Sequence, residues 1–163
     1  VVEVVWPKVA TSDNHSWDMH SGLTDRMKKQ AAPMFDAGFS AFIEDLDSRG
    51  LLDETLIVAL GEFGRAPEKG VSTSGNGNRA DGRDHWPQVM SMCLAGGGLR
   101  HGQVIGATET DGGNIKERAV TPGDLAATLF RYFDVPLDTS YLDNSGRPRL
   151  VVENHGRPIA ELL

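Results

Sequence analysis

The sequence predicts an α/β fold, a layered sheet flanked by helices, and three observations carry that expectation. Short runs of branched apolar residues alternate with segments of helical apolar spacing. The runs at 55–60 (TLIVAL) and 89–95 are apolar on both parities, as in strands covered on both faces. Glycine supplies 19 of the 163 residues and collects in the connections without a repeat period, which points to tight turns between elements.

Taken in order, residues 1–6 (VVEVVW) are rich in β-branched side chains and bounded by Pro7, which reads as a strand. The chain opens directly in that run, with no Met, signal peptide or polar lead-in. Residues 1–163 are therefore read as a single domain's worth of chain cut from a longer protein. A polar connection and Trp17-Asp18-Met19-His20 follow. Met27, Ala31, Phe35, Phe39, Phe42, Ile43 and Leu46 form one stripe over 24–49, a helix that Pro33 should kink or restart and Gly50 should cap. The strand at 55–60 runs into Gly61-Glu62-Phe63-Gly64-Arg65. Residues 66–82 form a Gly/Ser/Asn-rich loop, expected to be exposed and loosely held, as an active-site flap would be. Arg83-Asp84-His85-Trp86-Pro87 closes it. A strand at 89–95, a Gly96-Gly97-Gly98 turn and a short strand near 103–107 come next. Thr121-Pro122-Gly123-Asp124 is a capped helix start, with Leu125, Leu129, Phe130 and Phe133 giving the helix an apolar face. Gly-Arg-Pro recurs at 146–148 and 156–158, suggesting paired turns.

Charge excludes several partners. Lys and Arg total 16 against 23 Asp and Glu, a formal charge of −7. Neither the basic field of nucleic-acid binding nor a polybasic membrane cluster is present. No apolar run reaches the ~18 residues of a spanning helix. The single Cys93 sits in an apolar strand and reads as a core residue.

Three polar clusters carry the chemistry. Asp18 and His20, two apart in an extended segment, project to one side and can reach one metal ion; the alternative is a helix-capping Asp beside a surface His. Glu62 and Arg65 follow a buried-type strand, where α/β proteins bind ligands. Glu62 could ligate and Arg65 clamp an anion, or the two could simply pair. His85 is a further ligand candidate, and Asp84 either ligates or orients it; otherwise Trp86 is half-buried among satisfied neighbours. His15 is an additional candidate, while His101 and His155 read as surface or structural. No Gly-x-Ser-x-Gly elbow or phosphate loop is present.

In sequence order, WDMH, FIEDLDSRGLLDETLIVALGEFGR, GRDHWP, MCLAGGGLRHGQVIGATE, TPGDLAATLF and the closing GRP segments resemble the domain-of-unknown-function 1501 family. Those large proteins, abundant in planctomycetes and related bacteria, look like distant members of the alkaline phosphatase and sulfatase superfamily. The resemblance implies an alkaline-phosphatase-like mixed sheet with metal ions at strand ends; residues 1–163 would be a single domain forming the C-terminal part of that larger fold. Asp18, His20, Glu62 and His85 would be ligands, Asp84 a ligand or orienter, and Arg65 and Arg83 the holders of a phosphate or sulfate group. Two departures stand out: the Asp–His spacing is shorter than usual, and GEFGR replaces an Asp-His pair. The implied cofactor is a divalent metal ion, zinc or manganese, with magnesium or calcium if carboxylates dominate.

The implied function is that of a metal-dependent phosphate- or sulfate-ester hydrolase-like domain acting on a small-molecule or polysaccharide ester. Its rival is a noncatalytic binding or cell-surface protein that retains the fold. The superfamily's nucleophile lies upstream of the matching portion, so no catalytic residue is assigned within this chain, and the isolated chain is expected to be inactive. Relatives with twin-arginine signals imply a periplasmic or exported protein.

Overall fold

A proline inside a helical run has no N–H to donate and crowds the carbonyl four residues earlier. In the computed structural model, which describes residues 1–6, 17–75, 77–153 and 155–163, the chain resolves this conflict at Pro33 by changing helix type. Helix α1 (Leu23–Arg26) passes into a π-helical turn (Met27–Ala31), and α2 (Ala32–Ser48) begins with Pro33 in its first turn. The expected interruption at Pro33 is thus a widened turn, a common way to absorb a register conflict. At the other end Gly50 adopts φ +68°. Its N–H donates to Asp47 O at 2.9 Å and that of Leu51 to Leu46 O at 2.8 Å, closing the helix in a Schellman motif.

The apolar stripe of α2 is half-buried at Phe35, Phe39, Ile43 and Leu46, whereas Phe42 is exposed. Phe35 stacks on Phe39 with centroids 4.9 Å apart, and Trp17 meets Phe35 edge-on at 5.9 Å. That aromatic contact ties α2 to the segment carrying Asp18.

The fold is mixed α/β, and among the described residues its strands pair in twos. The strands are β1 (Ile57–Leu60), β2 (Gly64–Arg65), β3 (His85–Trp86), β4 (Met92–Ala95), β5 (Ala107–Thr108), β6 (Ile115–Glu117), β7 (Ser140–Leu142) and β8 (Pro148–Leu150). The antiparallel pairs are β1 with β4, β2 with β3, β5 with β6 and β7 with β8. Residues 1–6 form no strand and are largely exposed, because β-branched composition alone supplies no ladder partner. For the same reason β1 is half-buried rather than sealed on both faces. Cys93, opposite Ala59 on this two-stranded ribbon, is exposed and not a core residue.

Helix α3 (Pro122–Tyr132) starts as the sequence predicts. Thr121 Oγ1 accepts from the Asp124 N–H at 3.1 Å, and the Asp124 carboxylate accepts from the Thr121 N–H at 2.9 Å. The closing segment docks on that helix: Arg157 N–H donates to Asp124 Oδ1, and Ile159 N–H to the buried Thr128 hydroxyl. So the second Gly-Arg-Pro is a docking turn, while the first lies at the β7–β8 connection, where Asp143 Oδ1 accepts from the Ser145 and Arg147 N–H groups. Among the described residues the buried apolar side chains are Met19 and Ala66 beside the polar clusters, Ala31 in the π-helical turn, Ala127 on α3, and Val152, Ile159 and Leu162 in the closing segment. Phe133, expected on the apolar face, is exposed. Among the described residues no helix is long and apolar enough to cross a membrane.

Two glycines should respond to alanine with opposite signs. Gly38 lies within α2 with open space around it, so Gly38→Ala should stabilise the protein by about 0.5–1 kcal/mol. A Cβ on Gly82 would fall 2.0 Å from the His20 carbonyl oxygen, so Gly82→Ala should destabilise by about 2 kcal/mol or more. Urea unfolding of both variants measures the pair, and equal shifts would contradict the packing described.

Candidate metal centre

Met19 N–H donates to Trp17 O at 2.9 Å, a tight turn centred on Asp18. Met19 is 1% exposed, whereas Asp18 and His20 face each other outside it, 2.9 Å apart. The segment is pinned by its backbone: Arg83 N–H donates to Met19 O at 3.4 Å and Arg79 N–H to His20 O at 3.0 Å. Opposite it, the register of β2 and β3 sets Arg65 beside His85, and Ala66 N–H continues the pairing to Asp84 O at 2.8 Å. Trp86 Nε1 donates to Gly113 O at 2.6 Å, anchoring β3, and the Phe63 ring lies 4.7 Å from that of His85.

These supports bring three of the expected ligands to one point. His20 Nε2 and His85 Nε2 each lie 2.9 Å from Asp18 Oδ1, and 3.1 Å from each other. Donor atoms around one ion with bonds of about 2.1 Å stand roughly 3.4 Å apart in a tetrahedron and about 3.0 Å apart at right angles. The observed triangle matches the second spacing and is slightly tight for the first. Without an ion, two imidazole nitrogens and Arg65 Nη2 crowd onto one carboxylate oxygen, which has two lone pairs. One cation would turn all three atoms into ligands, so the donor set fits a divalent metal. Each histidine side chain is 21% exposed and that of Asp18 is 54%, leaving the triangle open on the Asp18 side.

Arg65 belongs to the same cluster. Its Nη2 donates to Asp18 Oδ1 at 2.6 Å and to Trp17 O at 3.2 Å, and its Nη1 to Arg83 O at 3.2 Å. Partial burial pushes the Asp18 carboxyl up. Hydrogen bonds from His85 and Arg65, with the Arg65 charge, outweigh it and hold the group at about 2.

Asp84 stands behind the triangle rather than in it. Its side chain is 0% exposed. Oδ2 accepts from Ser72 Oγ at 3.2 Å, Thr73 N at 2.7 Å and Ser74 N at 2.8 Å, and Oδ1 from Ser74 Oγ at 2.6 Å and His85 N at 2.8 Å. The Ser74 hydroxyl foremost, then the backbone N–H groups, overcome the burial penalty and hold its carboxyl far below the ordinary range. The Oδ1 atom is also 3.6 Å from His20 Nδ1, a buried atom with no hydrogen-bond partner.

These contacts correct the expectation for 66–82. The loop is exposed at 71–75, yet it is fastened to Asp84, and Thr73 Oγ1 donates to His85 O at 2.6 Å. Gly70 N–H reaches Gly82 O at 3.0 Å, and Asp81 Oδ2 accepts from Gly22 N at 2.9 Å. Sequence reasoning missed these anchors; the signal was the Ser72-Thr73-Ser74 run of small donors upstream of an acid.

The remaining candidates fall elsewhere. Glu62 is exposed and outside the triangle, while its neighbour Phe63 packs on His85. Arg83 contributes its backbone, and its Nε is buried without a hydrogen-bond partner. His15 lies outside the described residues. His101 Nε2 meets Gly96 O at 2.9 Å, a structural contact, and His155 is exposed.

Asp84 fixes a pH dependence. Its folded pKa is below the unfolded value of about 4, so its stabilisation is complete above about pH 4 and is lost as pH falls further. Amide protection at Thr73 and Ser74 should therefore persist from neutral pH to about pH 4 and decline only below it. Hydrogen exchange followed by NMR checks this, and complete loss of protection by about pH 5 would contradict it.

No curated protein and no solved structure matches the chain. A family model does, over residues 1–163, and by that match the chain belongs to the family described as Protein of unknown function (DUF1501).

Proposed function

We propose that the protein binds one divalent metal ion through Asp18, His20 and His85 and uses it on a phosphate or sulfate ester, as a hydrolase-like domain of alkaline-phosphatase type. The observation that supports this reading is the triangle of donor atoms, with edges of 2.9, 2.9 and 3.1 Å. Two imidazoles and one carboxylate suit zinc or manganese, and three protein ligands leave a coordination position for substrate. When bound, such an ion polarises the ester oxygen and neutralises charge that develops there.

The chain's own residues do the rest. Arg65 holds Asp18 by a charge-assisted hydrogen bond, fixing the carboxylate that the two histidines share. Arg65 and Arg83 are proposed as the anion contacts on the strength of the sequence resemblance, Arg65 with the added support that its Nη2 already bonds Asp18 Oδ1. The sheet layering of an alkaline-phosphatase-like domain and an exported location belong to this proposal, on the strength of the sequence resemblance.

Calorimetric titration with zinc or manganese tests the ligand set. Asp18→Ala, His20→Ala and His85→Ala should each weaken binding by about 100-fold or more, since loss of an outer-sphere partner alone costs about 10–100-fold. Glu62→Ala should leave the affinity unchanged. Inorganic phosphate should bind the manganese-loaded protein and not the His85→Ala variant. Binding of either metal that survives all three ligand substitutions would overturn the reading.

A further inference from the structure

We propose that Asp84 is the positioning residue for His20, accepting its Nδ1–H and thereby turning Nε2 toward the ion shared with Asp18 and His85. This rests on the metal reading above and adds to it the residue that selects the tautomer.

Neutral imidazole carries one N–H and one lone pair. His20 Nε2 is the atom that faces Asp18 Oδ1 and His85 Nε2, so Nε2 must present the lone pair to a cation. The proton then resides on Nδ1, on the far side of the ring. That atom is buried and lacks a hydrogen-bond partner, and a buried unmatched N–H is costly. A carboxylate oxygen, Asp84 Oδ1, stands 3.6 Å away, a few tenths of an ångström beyond hydrogen-bond distance. For this role the His20 ring must turn so that Nδ1 closes that gap while Nε2 keeps facing Asp18 and His85.

Asp84 is suited to that task because it cannot move. Ser72, Thr73 and Ser74 grip it from the loop, and the His85 N–H grips it from β3. One buried carboxylate therefore touches both histidine ligands, His20 through its ring and His85 through its main chain. Acceptors of this kind fix ring orientation and raise ligand basicity. Loop 66–82, by fastening Asp84, becomes a strut for the metal centre.

The test uses the full chain, zinc alone, and two readouts. In zinc-loaded wild type, long-range ¹H–¹⁵N spectra should show His20 protonated at Nδ1 and metallated at Nε2. In calorimetry Asp84→Asn should weaken zinc binding by about 10–100-fold. Ser74→Ala, which removes one of the five donors to an intact carboxylate, should speed amide exchange at Thr73 and weaken zinc binding clearly less than Asp84→Asn does, because the carboxylate still orients His20. Equal weakening by Asp84→Asn and Ser74→Ala would reduce Asp84 to a loop anchor and overturn the proposal. Should Asp84→Asn fail to fold, the wild-type spectrum decides: a proton on His20 Nε2, or zinc on Nδ1, overturns it. If wild type binds zinc tightly and a folded Asp84→Asn binds it equally well, only the positioning role falls. If His85→Ala does not alter zinc binding, the metal reading itself has failed.

Discussion

A carboxylate sealed from water stays ionised only if donors meet its lone pairs, and Asp84 imposes that requirement on everything around it. Among the described residues those donors are not Lys or Arg but small hydroxyls and backbone N–H groups from Ser72, Thr73, Ser74 and His85. To deliver them, the loop must fold back from β2 and return at β3. Gly82 must then lie against the His20 carbonyl with no side chain between. The negative charge thus buried sits behind two imidazoles and favours a cation in front of them. The shape of the loop, the spacing of the histidines and the electrostatics of the site follow from one buried acid.

The second hub, Asp18, obeys the opposite rule. It is open to solvent, and charged or titratable groups converge on a single oxygen: the Arg65 guanidinium and two imidazole nitrogens. The Trp17–Phe35 contact and the buried Met19 hold the segment from either side, so Asp18 is exposed without being loose.

Local signals in the sequence translated well into structure. The Thr121-x-x-Asp124 capping box and the Gly50 cap depend on residues within one turn, and both form as read. Asp18, His20 and His85 were also legible, two by spacing and the third by the density of polar residues around it. So was the family, through the ordered segments from WDMH to the closing GRP. Features that depend on distant partners were not. Branched residues at 1–6 gave strand propensity without a neighbouring strand, and the apolar run at 55–60 said nothing of its lone partner β4. Composition marked 66–82 as loose because serine and glycine look alike whether or not a buried acceptor waits ten residues on. Glu62 was placed by its position after a strand, but it is the neighbouring Phe63 that packs on His85.

The central claim is that Asp18, His20 and His85 surround one cation. Anomalous diffraction from zinc-soaked crystals, recorded on both sides of the zinc absorption edge, tests it most directly. The account predicts a single strong peak about 2.0–2.2 Å from Nε2 of both histidines and from an Asp18 carboxylate oxygen. A peak at Glu62 or His101 with the triangle bare, or zinc held through Nδ1 of His20, would contradict it.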